Sequence, residues 1–284
     1  MSLSGLIEHA SQAILPTRPL SSLVHRLTQI ETPAIKNASI DFLLKHFDID
    51  MSEARQEDPH AYPSFNAFFT RELKADARPL APEPALLCPV DGRISQLGAI
   101  ENSTIFQAKG RSYTSAALLA DAAAAKTYDN GQFATIYLAP NNYHRIHMPL
   151  NARLIHARFV PGRLFSVRPS TAQAIDALFA RNERLVLHFD SALGPFVLVM
   201  VGALFVGSME TVMEGKISPP HSRNIRDFDY RERTPRLQRG EELGRFNMGS
   251  TVILLFPQNS MAWADDLTPG TVVRMGQALG APRS

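Results

Sequence analysis

Along the first part of the chain the hydrophobic positions recur at helical spacing. Leu20, Leu23, Val24, Leu27 and Ile30 fall on one side of a helix, with Ser21, Ser22, His25 and Arg26 on the other. A second set, Ile40, Phe42, Leu43, Leu44 and Phe47, lies beside Lys45 and His46. A third, Phe65, Phe68 and Phe69, opens after Pro63 and Ser64, a helix-start signal, and runs on into Arg71, Leu73 and Lys74. Residues 75–84, with Pro79, Pro82 and Pro84, read as a connector. Beyond it the texture changes to short apolar runs bounded by Gly, Pro, Asn and Asp, which predict strands at 134–138, 154–160, 184–189, 196–202 and 251–256. Helices are expected at 115–125 and 170–179. Glycines at turn-like intervals, Gly244, Gly249, Gly270, Gly276 and Gly280, suit tight β-turns near the end. The expectation is an α+β chain: an N-terminal amphipathic helical layer over 1–75, then a mainly antiparallel β sandwich or barrel-like domain with a few helices over 76–284. The amphipathic faces allow two roles, packing on the rest of the protein or lying in a membrane interface.

Composition narrows the classes. The 284 residues are 45% hydrophobic and 20% charged, enough for a sizeable core. A formal charge of +2 gives no field that would draw nucleic acid. The single cysteine, Cys88, excludes an internal disulfide, fits a reducing compartment, and sits between Leu87 and Pro89 as a buried small hydrophobe would. Residues 1–15 have no basic n-region and place Glu8 where a secretory signal needs an apolar core. The longest uncharged stretch, 191–208, is interrupted by Gly194, Pro195, Gly202 and Gly207, and falls short of the ~20 residues of a spanning helix. A soluble or peripheral protein is expected.

Three places could carry chemistry. Asp91-Gly92 follows an apolar run and is by itself an ordinary turn signal. His144 and His147 stand three apart in Tyr143-His144-Arg145-Ile146-His147-Met148-Pro149. As half of a metal site this is poor, because Pro149 stops a helix and no nearby Cys or Glu offers a third ligand. No metal is expected, and acid–base work fits better. Gly249-Ser250 precedes the apolar run from Thr251 to Phe256. Together Asp91, His147 and Ser250 complete the set for an activated serine: carboxylate, imidazole, hydroxyl. No Gly-x-Ser-x-Gly elbow surrounds Ser250, which argues against an α/β-hydrolase. A serine hydrolase using Ser250, His147 and Asp91 without cutting itself remains the alternative. A carrier-like binding module would need a lysine at a hairpin tip, and none follows Lys216.

These blocks resemble the phosphatidylserine decarboxylase family of bacterial type. The resemblance is carried by Asp91-Gly92-Arg93, the 143–149 block, Pro161-Gly162-Arg163-Leu164-Phe165-Ser166-Val167, and Gly244-Arg245-Phe246 leading into Gly249-Ser250-Thr251. Residues 65–74 and 109–113 add to it, so it runs from about Pro63 to the last residues. One departure is Met248, where the family usually has leucine before Gly-Ser-Thr; the similar volume makes this a mild change. The resemblance implies a proenzyme that cuts itself at Gly249–Ser250 into residues 1–249 and 250–284, which stay associated. It implies that Ser250 becomes a covalent pyruvoyl group, with Asp91, His147 and Ser250 as the self-cleavage triad. It further implies decarboxylation of phosphatidylserine to phosphatidylethanolamine through a Schiff base, with His144 assigned to that second phase. The expected setting is peripheral, on the cytoplasmic face of the inner membrane through residues within 1–75, as a homodimer of cleaved pairs.

Overall fold

The computed structural model describes residues 17–204, 208–219, 221–247 and 250–283. The predicted strands are all present and slightly longer: Gln132–Leu138, Ala152–Val160, Arg184–Ser191, Gly194–Val201 and Ser250–Phe256. They belong to a nine-stranded antiparallel sheet. Its path runs from Arg226–Asp229 through these strands to Gly92–Ala99 and Val272–Val273, with Arg236–Leu237 pairing alongside Ala152–Val160. The sheets stay open; the barrel alternative does not form.

Ser250–Phe256 lies in the middle, between Gly194–Val201 and Gln132–Leu138, and each of its seven residues is buried. This is why its sequence is an unbroken apolar run after Thr251 rather than an alternating one. Val252, Leu254 and Phe256 project into one apolar cluster, and Ile253 and Leu255 into another on the opposite face. The second cluster is roofed by short helices, Ser115–Leu119, Pro169–Ala174 and Leu178–Arg181. The two expected helices are each broken, at Ala120 and Ala177, which adopt left-handed backbone with φ of 52° and 50°. Asp121 then caps the next turn by accepting from the Ala123 and Ala124 amides.

The first cluster is covered by a four-stranded antiparallel sheet in the order Gly215–Ser218, Met209–Thr211, Glu242–Phe246, Arg145–His147. Its Ile146, Met209, Ile217, Leu243 and Phe246 share that cluster with the central strand. The His-x-x-His block and the Ser250 strand are therefore on facing layers. A third sheet joins Leu86–Leu87, Ala278–Pro282 and Met261–Trp263.

All three N-terminal helices form, as Thr17–Thr28, Pro33–His46 and Phe65–Phe69. The last starts where expected, with Ser64 Oγ accepting from the Ala67 amide, but it ends at Thr70 before Arg71 and Leu73. Ile40, Leu43, Tyr62, Phe65, Phe68 and Phe69 form their own small core. The Thr17–Thr28 helix is turned inside out relative to a globular one. Ser21 (1%) and His25 (7%) are buried, while Leu23 (53%) and Leu27 (51%) face outward. Ile35 and Phe42 of the next helix are exposed as well. Among the described residues no helix is long and apolar enough to cross a membrane. Residues 1–15, where a secretory signal was not expected, lie outside the described residues.

Candidate active site

Ser250 opens the central strand opposite Leu138, is fully buried, and among the described residues its hydroxyl has no hydrogen-bond partner. Burying a hydroxyl unpaired costs roughly 1–3 kcal/mol, and among the described residues Ser115 and Thr251 share that state with Ser250. By strand alternation Ser250 shares its face with Val252 and Leu254, the face on which the four-stranded sheet lies. Met248 and Gly249, the latter being the other half of the predicted cleavage bond, lie outside the described residues.

The chain leading to Ser250 is clamped at Asn247. Its amide N–H donates to the Ser208 carbonyl at 3.1 Å. Its side-chain Nδ2 donates to Ser208 Oγ (2.7 Å) and Glu210 Oε1 (2.9 Å). Asn66 Nδ2, from the Phe65–Phe69 helix, donates to Asn247 Oδ1 at 3.1 Å. One residue earlier, the Phe246 amide donates to the His144 carbonyl at 3.1 Å, which ties the histidine block to this run.

The two histidines differ in what their rings are free to do. His144 is fully buried against Phe69, with ring centroids 4.1 Å apart. Its Nδ1–H donates to the Asn142 carbonyl at 2.8 Å, which puts the proton on Nδ1 and leaves Nε2 as an acceptor without a partner among the described residues. Burial lowers its pKa to about 3, with the Arg71 charge pushing the same way, so the ring is neutral. His147 has both nitrogens engaged. Nδ1–H donates to the Gly240 carbonyl at 2.8 Å, and Nε2 accepts from the Tyr143 hydroxyl at 2.9 Å. Burial lowers its pKa too, opposed by the Gly240 hydrogen bond and by the charges of Glu242 and Asp91. The two rings have separate hydrogen-bond partners.

Asp91 is held elsewhere than at His147. Arg78 grips its carboxylate from Nε (3.0 Å) and Nη2 (2.6 Å), and the Met275 amide donates to Oδ1 at 2.8 Å. Arg78 Nη2 also reaches Glu53 Oε2 (2.8 Å), and Arg274 meets Glu53 Oε1 at 2.9 Å. The His147 amide donates to the Pro89 carbonyl at 2.8 Å, so the two sites are neighbours in space without being hydrogen-bonded to each other. Among the described residues neither the Asp91 carboxylate nor the Ser250 hydroxyl hydrogen bonds to His147. Gly92, next to Asp91, has a role beyond a turn: a Cβ there would lie 2.5 Å from the Tyr137 carbonyl oxygen, so only glycine lets these strands approach. Cys88 is fully buried with its thiol donating to the Val90 carbonyl, and burial raises its pKa, as expected of an inert residue.

Four groups central to this geometry carry no signal of their own in the sequence: Tyr143, Arg78, Asn247 and Arg71. Tyr143 and Arg71 sit inside the motif blocks, where proximity to the histidines and to the aromatic run was the only available hint. Arg78 lay in the proline-rich connector and Asn247 beside the Gly-Ser pair, where neither stood out.

These features define an α+β protein with a buried serine, a buried His144 and a half-buried His147 on facing sheets. A family model described as phosphatidylserine decarboxylase matches residues 65–281, and one described as PSD matches residues 7–48. A phosphatidylserine decarboxylase proenzyme of Xylella fastidiosa (strain M23) is 53% identical over 267 residues, covering 94% of this chain and 91% of its own. That of Xanthomonas axonopodis pv. citri (strain 306) is 52% identical over 267 residues, covering 94% and 95%. That of Azotobacter vinelandii (strain DJ) is 50% identical over 274 residues, covering 95% and 96%. The chain belongs to the phosphatidylserine decarboxylase family, whose members are carboxy-lyases.

Proposed function

We propose that the chain is a proenzyme that cuts itself at Gly249–Ser250 and then decarboxylates phosphatidylserine to phosphatidylethanolamine. The observation that carries this reading is the Ser250 hydroxyl, fully buried and unpartnered among the described residues. A hydroxyl walled off from solvent suits attack on the carbonyl of its own preceding residue, because that carbonyl needs no entry path. A serine hydrolase acting on outside esters needs the reverse, an accessible nucleophile.

In the self-cleavage step Ser250 Oγ attacks the Gly249 carbonyl carbon, and the peptide becomes an ester. Loss of the Ser250 Cα proton expels the Gly249 carboxylate and leaves a dehydroalanine. Hydrolysis of its imine tautomer releases ammonia and leaves a pyruvoyl group as the first unit of residues 250–284. The residues present fit such a group, since its carbon skeleton is that of Ser250 and the site around it is buried. When formed, the group supplies an electron-withdrawing carbonyl that spreads the charge developing as carbon dioxide departs. His147 is the proposed general base of self-cleavage. Its Nδ1–H bond to Gly240 sets the tautomer in which Nε2 accepts a proton, and the nearby Asp91 charge favours the imidazolium. His144, whose Nε2 is open as an acceptor, is assigned to the decarboxylation phase as a partner of the substrate headgroup.

The two pieces are expected to remain joined. The Ser250–Phe256 strand is paired on both sides by strands of the 1–249 piece, and Ala278–Pro282 pairs with Leu86–Leu87. The outward Leu23, Leu27, Ile35 and Phe42 support peripheral attachment of residues 1–75 to the cytoplasmic face of a membrane. A catalytic unit of 76–284 and pairing of two cleaved molecules complete the proposal.

Intact-mass spectrometry beside Ser250→Ala tests the first step. Two fragments, the smaller lighter by conversion of its N-terminal serine to pyruvoyl, are expected in the parent and one uncut chain in the variant. One uncut chain in both would return the serine hydrolase to consideration. His144→Ala is expected to self-cleave and then fail to release carbon dioxide from phosphatidylserine. Loss of cleavage in that variant would move the base role to His144.

A further inference from the structure

Arg71 is a charged side chain near the site that self-cleavage and decarboxylation, as derived, leave without work. It is 4% exposed, and among the described residues its Nε and Nη1 have no hydrogen-bond partner. Its remaining polar contact is a long one, Nη2 to the Asn141 carbonyl at 3.5 Å, and its guanidinium carbon lies 5.7 Å from the centre of the Phe68 ring. Arginine carries a fixed array of donors and cannot shed its charge in water, so an unpaired buried guanidinium is a large cost with no local return. Burial accordingly lowers its pKa.

Arg71 lines a cavity of about 680 Å³ between the N-terminal helices and the four-stranded sheet. Of the other cations on its wall, Arg145 pairs with Glu72 and Glu242, Arg245 with Glu210 and Arg55 with Glu72, while Lys216 is exposed to solvent. Asn66, also on the wall, reaches Asn247, three residues before Ser250. Arg71 is thus a preformed anion receptor at the edge of the reacting centre, under the helices whose apolar side chains face outward.

We infer that Arg71 binds the phosphodiester of the lipid headgroup and so sets how the substrate is held over Ser250. This rests on the proposed phosphatidylserine decarboxylation. The headgroup offers two anions, and the chemistry chooses between them. The carboxylate leaves as neutral carbon dioxide, so a cation on it would stabilise the ground state more than the transition state and slow the reaction. The phosphodiester keeps its charge throughout, so a cation there binds both states equally and shows up in KM. A planar, forked donor also fits two phosphate oxygens at once.

The test uses the full-length, self-cleaved protein and its Arg71→Gln and Arg71→Lys variants. Self-cleavage is first confirmed by mass spectrometry, which separates failure of the proposed function from failure of this inference. Carbon dioxide release is then measured on phosphatidylserine in mixed micelles. Inhibition is measured with glycerophosphoserine, with inorganic phosphate, and with serine methyl ester as the phosphate-free probe. For Arg71→Gln, KM for phosphatidylserine and Ki for glycerophosphoserine are expected to rise about 10- to 100-fold, with kcat within a factor of about three. Inhibition by serine methyl ester should be unchanged, and Arg71→Lys should recover part of the loss. A KM within twofold of the parent would overturn the inference. So would equal loss for the phosphate-free probe, or inhibition by inorganic phosphate as tight as by glycerophosphoserine, which would mark a general phosphate site.

Discussion

Asp91→Asn separates two roles that the geometry assigns to one carboxylate. In the structure Asp91 is a hub: Arg78 binds it with two nitrogens, the Met275 amide donates to it, and Arg78 extends the network to Glu53 and Arg274. Met275 and Arg274 lie within 250–284, so in the proposed cleavage the hub would tie the two products together. The Arg78 and Asp91 side chains are only 7% and 8% exposed, so the pair is a buried one. Removing one partner of a buried pair costs about 3–5 kcal/mol, because the other charge is stranded. Here Glu53 still holds Arg78, and the amide oxygen of the variant still accepts one bond, so the loss falls near the low end, about 3 kcal/mol. With 1 kcal/mol worth roughly 2–4 °C in a chain of this size, Tm should drop on the order of 6–12 °C. Thermal unfolding of uncut samples, parent and variant both on a Ser250→Ala background, measures this without interference from processing. A Tm within about 2 °C of the parent, less than 1 kcal/mol on the same scale, would refute the hub.

Self-cleavage, followed well below both midpoints, then reads the second role. If the Asp91 charge is needed to favour protonated His147, Asp91→Asn cleaves slowly, while Arg78→Met cleaves at nearly the parental rate despite a similar loss of stability. Equal slowing in both would assign the effect to the network and leave no direct part for the carboxylate.

Other consequences are quick to check. Tyr143→Phe removes the O–H donated to His147 Nε2 and should change the self-cleavage rate about tenfold with little change in Tm; an unchanged rate would detach Tyr143 from the base. His144, His147 and His188 all have lowered pKa values, chiefly from burial, to about 3 for His144 and about 4 for His188. The unfolded chain therefore binds more protons below the ordinary histidine value of about 6.5, so stability should stay level above that pH and fall as pH drops from about 6.5 towards about 4. Urea midpoints across this range that stay flat would contradict the buried, neutral rings. Leu23→Glu with Leu27→Glu should cut binding to anionic vesicles by roughly tenfold or more and leave self-cleavage intact, as judged by flotation beside mass spectrometry.

The sheet was legible because its strands bury both faces. Runs such as Phe196 to Val201 and Thr251 to Phe256 are too short for a core helix and are bounded by glycine and proline, which leaves a buried strand. The helical interludes were placed but not their breaks, since Ala120 and Ala177 adopt left-handed backbone that alanine does not advertise. The sites of Asp91, His144, His147 and Ser250 were named from residue type and order, yet their pairing was not readable. Whether Asp91 meets a histidine or an arginine depends on which strands cross near it, and Arg78 lies 13 positions away in a segment with no periodicity. The Thr17–Thr28 helix shows the limit most clearly. Its spacing of leucines fixes that one face is apolar, but periodicity along a chain is blind to what lies against either face. Only the buried Ser21 and His25 reveal that the protein takes part of the polar face and leaves Leu23 and Leu27 outward. In water that orientation exposes the apolar face for no gain, whereas at a bilayer the same face is buried by lipid. An outward Leu23 and Leu27 are thus what the proposed attachment to a bilayer calls for.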